Sequence, residues 1–449
     1  MEHADELELL RAALGRLAKG FAGLPAHRTT FDRERARAVL DEVAGRLQDN
    51  YPYHHPLYAG QMLKPPHPVA RVAYALALWL NPNNHALDGG RASSALEKEC
   101  IDNLGALFGW PRPLGHLTGG GTVANLEALW IAGRLHPGKG VAASSQAHYT
   151  HARLCEVLGL PFTAIDTDTD GRLDVGSLER ALATGRVGTV VATVGTTGLG
   201  AVDPLPAILV RARDAGARVH ADAAYGGFFG LAASLGAGPR LAFDALGDAD
   251  SIVIDPHKHG LQPYGCGCVL FRDPAVGRFY KHDSPYTYFS SAELHLGEIS
   301  LECSRPGAAA VALWATQQYL PLVRGGEFAA GLDACLLAAR AFHDRLAASG
   351  NYRPILPPEL DIVVYAPEAA TAAAVSAYSQ AIFEAAAARD LHLSLIRLPA
   401  ALVQARWPDL VADTRTVTCL RSVLMKPEHG EWLDEIMARL ASAATAVRE

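Results

Sequence analysis

Apolar and polar residues alternate along the chain in blocks that predict an α/β fold. From about residue 112, short β-rich runs are separated by helical segments rich in Ala and Leu, such as residues 204–215. This alternation is typical of a mostly parallel sheet that helices cover on both faces. The predicted strands are residues 141–145, 162–165, 187–194, 218–222, 251–254 and 268–271.

The regions on either side of this block have a different pattern. Residues 5–49 predict two amphipathic helices, because leucines recur at helical spacing. A long helical stretch over 306–347, interrupted at Gly325-Gly326, leads into a shorter α+β portion with strands at 362–366 and 416–425. We therefore expect an N-terminal helical arm over 1–85, a large domain over 86–325 and a small C-terminal domain over 326–449.

Composition narrows the class of function to small-molecule chemistry. The 449 residues are 49% hydrophobic and 19% charged, which is typical of a globular protein with a large core. The formal net charge of −7 gives no basic surface for nucleic acid or for an anionic membrane. We expect neither as a partner.

The cysteines and the N-terminus predict a soluble cytoplasmic protein. The seven cysteines are scattered without metal-type spacing, as expected of reduced thiols. The first six residues are acidic, whereas a signal peptide begins with positive charge. The longest apolar run, residues 69–80, contains Arg71 and is too short to span a bilayer.

Three consecutive glycines precede a predicted helix. Gly119, Gly120 and Gly121 are followed by Thr122. Glycines let the backbone approach an anion, and the free amides of a helix N-terminus favour a phosphate. The segment is neither a P-loop nor a dinucleotide fingerprint, so a flexible turn with a helix cap is an equal alternative.

Two charged residues follow predicted buried strands. Lys258 comes after the run 251–254, and Asp222 ends the run 218–222. A lysine in apolar surroundings has a lowered pKa and reacts readily with an aldehyde cofactor, although a salt bridge is an equally simple role. Asp222 could hold the proton on a ring nitrogen of such a cofactor, or could cap a turn.

A histidine and a threonine also follow predicted strands. His148 could stack on a cofactor ring, and Thr196 could bond a cofactor oxygen. Pairs such as His148/His151 and His220/Asp222 have metal-ligand spacing, but the sequence supplies no third and fourth ligand. We expect no metal.

The order of these features resembles the group II pyridoxal phosphate-dependent amino-acid decarboxylases, which have the aspartate aminotransferase type fold. The resemblance runs from about His55 to Arg324. Its most specific motifs are Gly-Gly-Thr-x-Ala-Asn at 120–125, Ser-Ser-x-Ala-His-Tyr at 144–149, His-x-Asp-Ala-Ala-Tyr-Gly-Gly at 220–227 and Asp-Pro-His-Lys at 255–258.

The resemblance implies a role for each matching residue. Lys258 would bind the cofactor pyridoxal 5'-phosphate covalently, with His257 beside it and Asp222 on the pyridinium nitrogen. Ala224 would lie beneath the ring and His148 on its other face. Gly120, Gly121 and Thr122 would hold the phosphate, and Thr196 would lie near the phenolic oxygen. Tyr286, or its neighbour Tyr288, would be the proton donor of a catalytic loop.

The activity implied is an L-amino-acid α-decarboxylase that releases an amine and carbon dioxide. The family implies a homodimer in which the arm and the Tyr286 loop contribute across the interface. Arg421 and His55 are candidates for contacting the substrate, which could be aromatic, acidic or basic. The sequence departs from the family at Thr118-Gly119-Gly120-Gly121, which lacks a serine, and at His259, where a bulkier residue is usual.

Three alternatives remain open from the sequence. A pyridoxal phosphate enzyme of the same fold could be an aldehyde-forming oxidative decarboxylase or a carbon–carbon lyase. The segment Ser304-Arg305-Pro306-Gly307 is similar to one found in both decarboxylases and such lyases. A cofactor-binding protein without turnover and a metal hydrolase are the other two.

Overall fold

A mostly parallel sheet of seven strands forms the centre of the chain. The computed structural model describes residues 3–25, 27, 30–281 and 300–448. The strands are β1 (Leu114–Thr118), β2 (Gly140–Ser144), β3 (Phe162–Ile165), β4 (Val187–Thr193), β5 (Arg218–Asp222), β6 (Ser251–Ile254) and β7 (Gly267–Phe271). Their spatial order is β1-β7-β6-β5-β4-β2-β3. Only β7 runs against the other strands of this sheet.

Helices cover this sheet, so its inner strands are buried along nearly their whole length. The helix that follows β1 packs Ala124, Ala128 and Ile131 against Val253 and Val269 of the sheet. The helices of this region are α4 (Arg91–Ala106), α5 (Gly121–Leu135), α6 (Thr150–Leu158), α7 (Val175–Ala183), α8 (Leu205–Asp214), α9 (Ala237–Asp244) and α10 (Gly307–Tyr319).

A second, antiparallel sheet lies in the C-terminal part. Its strands are β8 (Tyr352–Pro354), β9 (Ile362–Pro367), β10 (Ser394–Pro399) and β11 (Thr416–Val423), in the order β10-β11-β9-β8. The accompanying helices are α11 (Glu327–Ala348), α12 (Ala372–Ala387), α13 (Ala400–Arg406) and α14 (Leu433–Arg448). A separate apolar cluster that includes Phe342, Tyr365 and Ile436 joins these elements.

Among the N-terminal helices, the first packs against the third, and the third packs against α10. They are α1 (Ala4–Lys19), α2 (Arg33–Leu47) and α3 (Pro68–Leu78). Neither α1 nor α2 has a buried residue, although Leu40 and Leu47 are apolar. Within the described residues, no helix is both long and apolar enough to cross a membrane.

The predicted strands of the large sheet are confirmed to within one residue at each end, and the break at Gly325-Gly326 separates α10 from α11. The sequence pattern did not predict β1, β8, β10 or α13. The strand β8 has only three residues, which is too short for a periodic pattern.

The turn after β5 passes very close to the end of β4. A β-carbon on Gly226 would overlap the carbonyl oxygen of Val194 and would lie 3.3 Å from Leu360. The neighbouring Gly195 has φ +102°, a conformation that favours glycine. Only glycines therefore allow the ends of β4 and β5 to approach this closely.

We expect Gly226→Ala to destabilise the protein by about 1–3 kcal/mol, because the added methyl group forces a backbone shift in a packed region. Gly238→Ala is the matched control. Gly238 lies in α9 with open space around its Cα, so alanine should stabilise the helix by about 0.5–1 kcal/mol. Urea denaturation followed by circular dichroism measures both. A Gly226→Ala protein as stable as the wild type would contradict this account.

Candidate active site

A cavity of about 320 Å³ lies at the carboxyl ends of the parallel strands. Ligands of open α/β sheets bind at this edge. Most residues predicted for the site line this cavity: Gly120, Gly121, Thr122, His148, Asp222, Ala224, His257 and Lys258. The fold therefore brings together side chains and amides that are up to 138 positions apart, from 120 to 258.

The glycine segment forms a turn between β1 and α5. Gly120 has φ +150°, and a β-carbon on Gly121 would lie 2.6 Å from Oδ2 of Asp255. The backbone amides of Gly121 and Thr122 have no acceptor among the described residues. Two unpaired amides at the start of a helix, open to a cavity, form a cradle that suits an anion.

Lys258 has a carboxylate partner that the sequence analysis did not identify. Its Nζ lies 3.0 Å from Oδ2 of Asp255, which directly follows β6 and is 2% exposed. Oδ1 of Asp255 has no hydrogen-bond partner in the described part of the chain. The lysine is thus paired, and its amine lies beside a buried oxygen that can accept a proton.

Asp222 is held by one donor on each oxygen. Oδ1 accepts a hydrogen bond from the amide of Ala224 at 3.1 Å, and Oδ2 lies 2.8 Å from Nε2 of His151. Burial alone would raise the pKa of Asp222. The hydrogen bond from His151 and the charges of His151, Lys258 and His220 outweigh burial and lower that pKa. Asp222 is therefore a carboxylate at neutral pH.

His148 lies just before α6 and lines the cavity. Its Nδ1 is 2.7 Å from the hydroxyl of Thr150 and 3.4 Å from the amide of Thr150. Burial lowers the pKa of His148, so the ring is neutral near pH 7. Because Nδ1 accepts from the Thr150 amide, the proton of the neutral ring is on Nε2.

His257 lies beside the glycine turn. Its Nδ1 donates to the carbonyl oxygen of Cys266 at 2.8 Å, and its ring packs against Tyr264 with centroids 4.8 Å apart. Burial lowers the pKa of His257, so this ring also is neutral near pH 7. Its ring lies next to Gly120.

Thr196 is not among the residues that line the cavity. It is fully buried, and its hydroxyl accepts a hydrogen bond from the amide of Ala201 at 3.0 Å. Its neighbours Gly195 and Thr197 line the cavity instead. The sharp turn after β4 therefore directs the Thr196 side chain into the protein, away from the predicted contact.

Arg421 and His55 also lie away from the cavity lining. The guanidinium of Arg421 donates to the carbonyl oxygens of Thr197 at 2.6 Å and Gly198 at 3.1 Å. Arg421, which is on β11, therefore holds the turn after β4 in place. His55 packs edge-on against Trp432, with ring centroids 4.6 Å apart.

Tyr286 and Tyr288 lie outside the described residues.

The histidines considered as metal ligands have other partners. His151 bonds to Asp222, while His220 lies 2.8 Å from Oδ1 of Asn125 and 2.9 Å from the hydroxyl of Ser251. In the described ranges, no three His, Cys, Asp or Glu side chains converge as a metal-binding group. His259, the departure from the family, is buried 3.1 Å from Asp361.

Sequence reasoning missed His151 and Asp255 as site residues, although a signal existed for both. His151 lies three residues after His148, within one turn of α6, and Asp255 is part of the motif that contains Lys258. Asn125, also missed, connects His220 to the carbonyl oxygen of Gly121.

Comparison with known proteins identifies the chemistry. The sequence profile of the pyridoxal-dependent decarboxylase conserved domain matches residues 54–366. A probable L-tyrosine/L-aspartate decarboxylase of Methanothermobacter thermautotrophicus is 32% identical over 311 residues, 68% of this chain and 82% of that protein. The L-aspartate decarboxylase of Thermococcus kodakarensis is 32% identical over 63% of this chain and 72% of that protein.

The fold is shared with solved structures. The crystal structure of Oryza sativa TDC with PLP and tryptamine superposes with a TM-score of 0.78 at 19% identity, covering 99% of both chains. This likeness confirms the predicted aspartate aminotransferase type fold. Because the profile matches more than half of the chain, the protein belongs to the pyridoxal-dependent decarboxylase family and is a pyridoxal phosphate-dependent amino-acid decarboxylase.

Proposed function

We propose that the cavity at the carboxyl edge of the large sheet is where this chain decarboxylates its amino acid, with Lys258 as the cofactor-binding lysine. The observation that carries the proposal is the convergence of three groups on one cavity: the amine of Lys258, the carboxylate of Asp222, and the amides of Gly121 and Thr122, which have no acceptor in the described part of the chain.

These residues fit pyridoxal phosphate. The two amides and the start of α5 suit its phosphate group, since anions bind at helix N-termini. The Asp222 carboxylate suits its ring nitrogen, and neutral His148 offers a flat face to its ring. When bound, the cofactor supplies an aldehyde that reacts with amines and a ring that withdraws electrons from the substrate's α-carbon.

Lys258 and Asp255 are proposed to act as a pair. An ammonium cannot attack an aldehyde, so Lys258 must first lose a proton. Oδ2 of Asp255, 3.0 Å away, is the acceptor in reach, and the carboxylate is buried. The same carboxylate could return the proton to the Lys258 amine once that amine is free again.

Asp222 and His148 are proposed to hold the reacting groups. A carboxylate that stays charged would keep the proton on the ring nitrogen of the cofactor and so maintain its electron withdrawal. His148 would orient the ring, and the substrate would have to be held so that the bond from its α-carbon to its carboxylate is perpendicular to the ring. The role of Tyr286 as proton donor stays a prediction from the sequence.

Thr197, in place of Thr196, is proposed as the contact from the turn after β4. Thr197 lines the cavity, and Arg421 donates a hydrogen bond to the carbonyl oxygen of Thr197. Arg421 is then a residue that orients this turn. Its Nη1 also bonds to the hydroxyl of Ser394 at 3.1 Å, so little of the guanidinium is left for a substrate.

We infer that the substrate has an aromatic side chain. The cavity lining includes Tyr225 and Tyr264, and among the described lining residues Lys258 is the only lysine or arginine. An acidic side chain would need a further cation there. Tyrosine and aspartate both occur in the names of relatives, which makes these two amino acids the decisive comparison.

The test is a panel of L-tyrosine, L-aspartate, L-glutamate and L-lysine, assayed for amine and carbon dioxide. We expect tyramine to be the main product, with kcat/KM for L-tyrosine exceeding that for L-aspartate by about tenfold or more. Preference for L-aspartate would contradict the aromatic assignment. Release of ammonia and an aldehyde would instead contradict simple decarboxylation.

We also propose that the chain has an N-terminal arm over 1–85, a large domain over 86–325 and a small domain over 326–449. Two copies of the chain would form a homodimer through this arm. Leu40, Val43 and Leu47 follow one another at helical spacing on α2 and are 64%, 44% and 62% exposed. An apolar stripe of this kind is unfavourable in water and is typical of a surface that another chain covers.

Sedimentation velocity tests the dimer. We expect wild-type protein at the mass of two chains and the double variant Leu40→Lys/Val43→Lys at the mass of one, because the new charges would be buried without partners. Ala38→Lys adds a lysine to the opposite face of α2 and should leave the dimer intact. A monomeric wild type, or a double variant that stays dimeric, would contradict the arm's role.

The compartment is proposed to be the cytoplasm. All seven cysteines are free, and six of them are buried. Free thiols in this number favour a reducing compartment.

A further inference from the structure

A buried hydrogen bond connects the first turn of α6 to the end of β5. Nε2 of His151 lies 2.8 Å from Oδ2 of Asp222, and the two side chains are 0% and 6% exposed. His151 does not line the cavity, so it reaches the reaction only through Asp222. It lies three positions after His148, which does line the cavity.

The contacts of His151 fix which ring nitrogen carries the proton. Nδ1 of His151 is buried and has no hydrogen-bond partner among the described residues. A proton on Nδ1 of a neutral ring would therefore be an unpaired buried donor, which costs free energy. A proton on Nε2 instead points at a carboxylate, and this is the favoured tautomer.

With His151 in place, the carboxylate of Asp222 cannot rotate freely. The amide of Ala224 holds Oδ1, and His151 holds Oδ2. The backbone donor fixes one oxygen only. Without His151, the other oxygen would have no donor from α6, and the orientation of the carboxylate toward the cavity would depend on the single bond to Ala224.

The titratable groups that face Asp222 come from three elements. His151 lies on α6, Lys258 follows β6, and His220 is on β5 with Asp222 itself. The carboxylate of Asp222 also acts on the pKa of His148, which lies just before α6. The hydrogen bond from His151 to Asp222 does not involve Lys258.

We propose that His151 is a positioning residue for the decarboxylation: its Nε2–H orients the Asp222 carboxylate and stabilises the charged form that holds the proton on the cofactor's ring nitrogen. The inference rests on the role of Asp222 under the proposed function. It adds a residue outside the cavity on which the electronic state of the bound cofactor depends.

The test uses three substitutions at position 151. His151→Leu removes the donor. His151→Gln keeps an amide N–H at about the reach of Nε2, whereas the shorter His151→Asn places its amide near the position of Nδ1, away from Asp222. Cys155→Ala, a buried change one turn further along α6, is the control for packing.

Each protein is loaded with pyridoxal phosphate labelled with ¹⁵N in the ring, and the ¹⁵N chemical shift is followed from acid to alkaline pH. We expect a protonated ring nitrogen at neutral pH in wild type, His151→Gln and Cys155→Ala. In His151→Leu and His151→Asn the nitrogen should lose its proton at lower pH. Their cofactor dissociation constants should rise, and kcat should fall by about tenfold or more with KM little changed.

Asp222→Asn separates the two levels of the argument. If it leaves the ring nitrogen protonated, the proposed role of Asp222 is wrong. If Asp222→Asn loses the proton while His151→Leu and His151→Asn keep the wild-type shift and kcat, the role of His151 alone is overturned. Should His151→Leu not fold, His151→Asn compared with His151→Gln gives the same decision.

Discussion

The burial of the central strands is the constraint on which the site depends. The strands β4 and β6 are buried at every residue, and β5 at all but its first. A charge within such a strand would be costly, so charged groups are accommodated where the strands end. Asp222 is the last residue of β5, and Asp255 directly follows β6. Since β1 runs in the same direction as β6, the glycine turn after Thr118 reaches the same edge.

The same constraint explains why the charged residues occur in pairs. Asp222 is hydrogen-bonded to His151, and Lys258 lies beside Asp255. At the amino end of α10, the buried Arg305 lies 2.6 Å from Glu97. An unpaired charge in these positions would be strongly unfavourable, while a paired one is tolerated. In the pairs Asp222–His151 and Arg305–Glu97, pairing also fixes geometry, because the two partners lie on different elements. Lys258 and Asp222 are thereby held by the core of the fold.

The sequence was sufficient to predict six strands of the large sheet and eight of the residues that line the cavity, since both depend on local patterns. Buried strands are visible as apolar runs in the sequence. Asp222 ends one such run, and Lys258 follows another within four residues. Contacts between distant segments could not be read in this way. Arg421 reaches the carbonyl oxygen of Thr197, 224 positions earlier, and Thr196 turns inward because of the local backbone after β4. The pairing of His151 with Asp222 likewise depends on how α6 packs against the sheet.

The central claim is that Lys258 is the residue to which the cofactor binds. Reduction of the pyridoxal phosphate-loaded protein with borohydride fixes the cofactor to its lysine, and peptide mass spectrometry then locates it. The account predicts a single modified peptide that contains Asp255-Pro256-His257-Lys258, with the added mass on Lys258. Modification of a different lysine under the same conditions, or none at all, would contradict it.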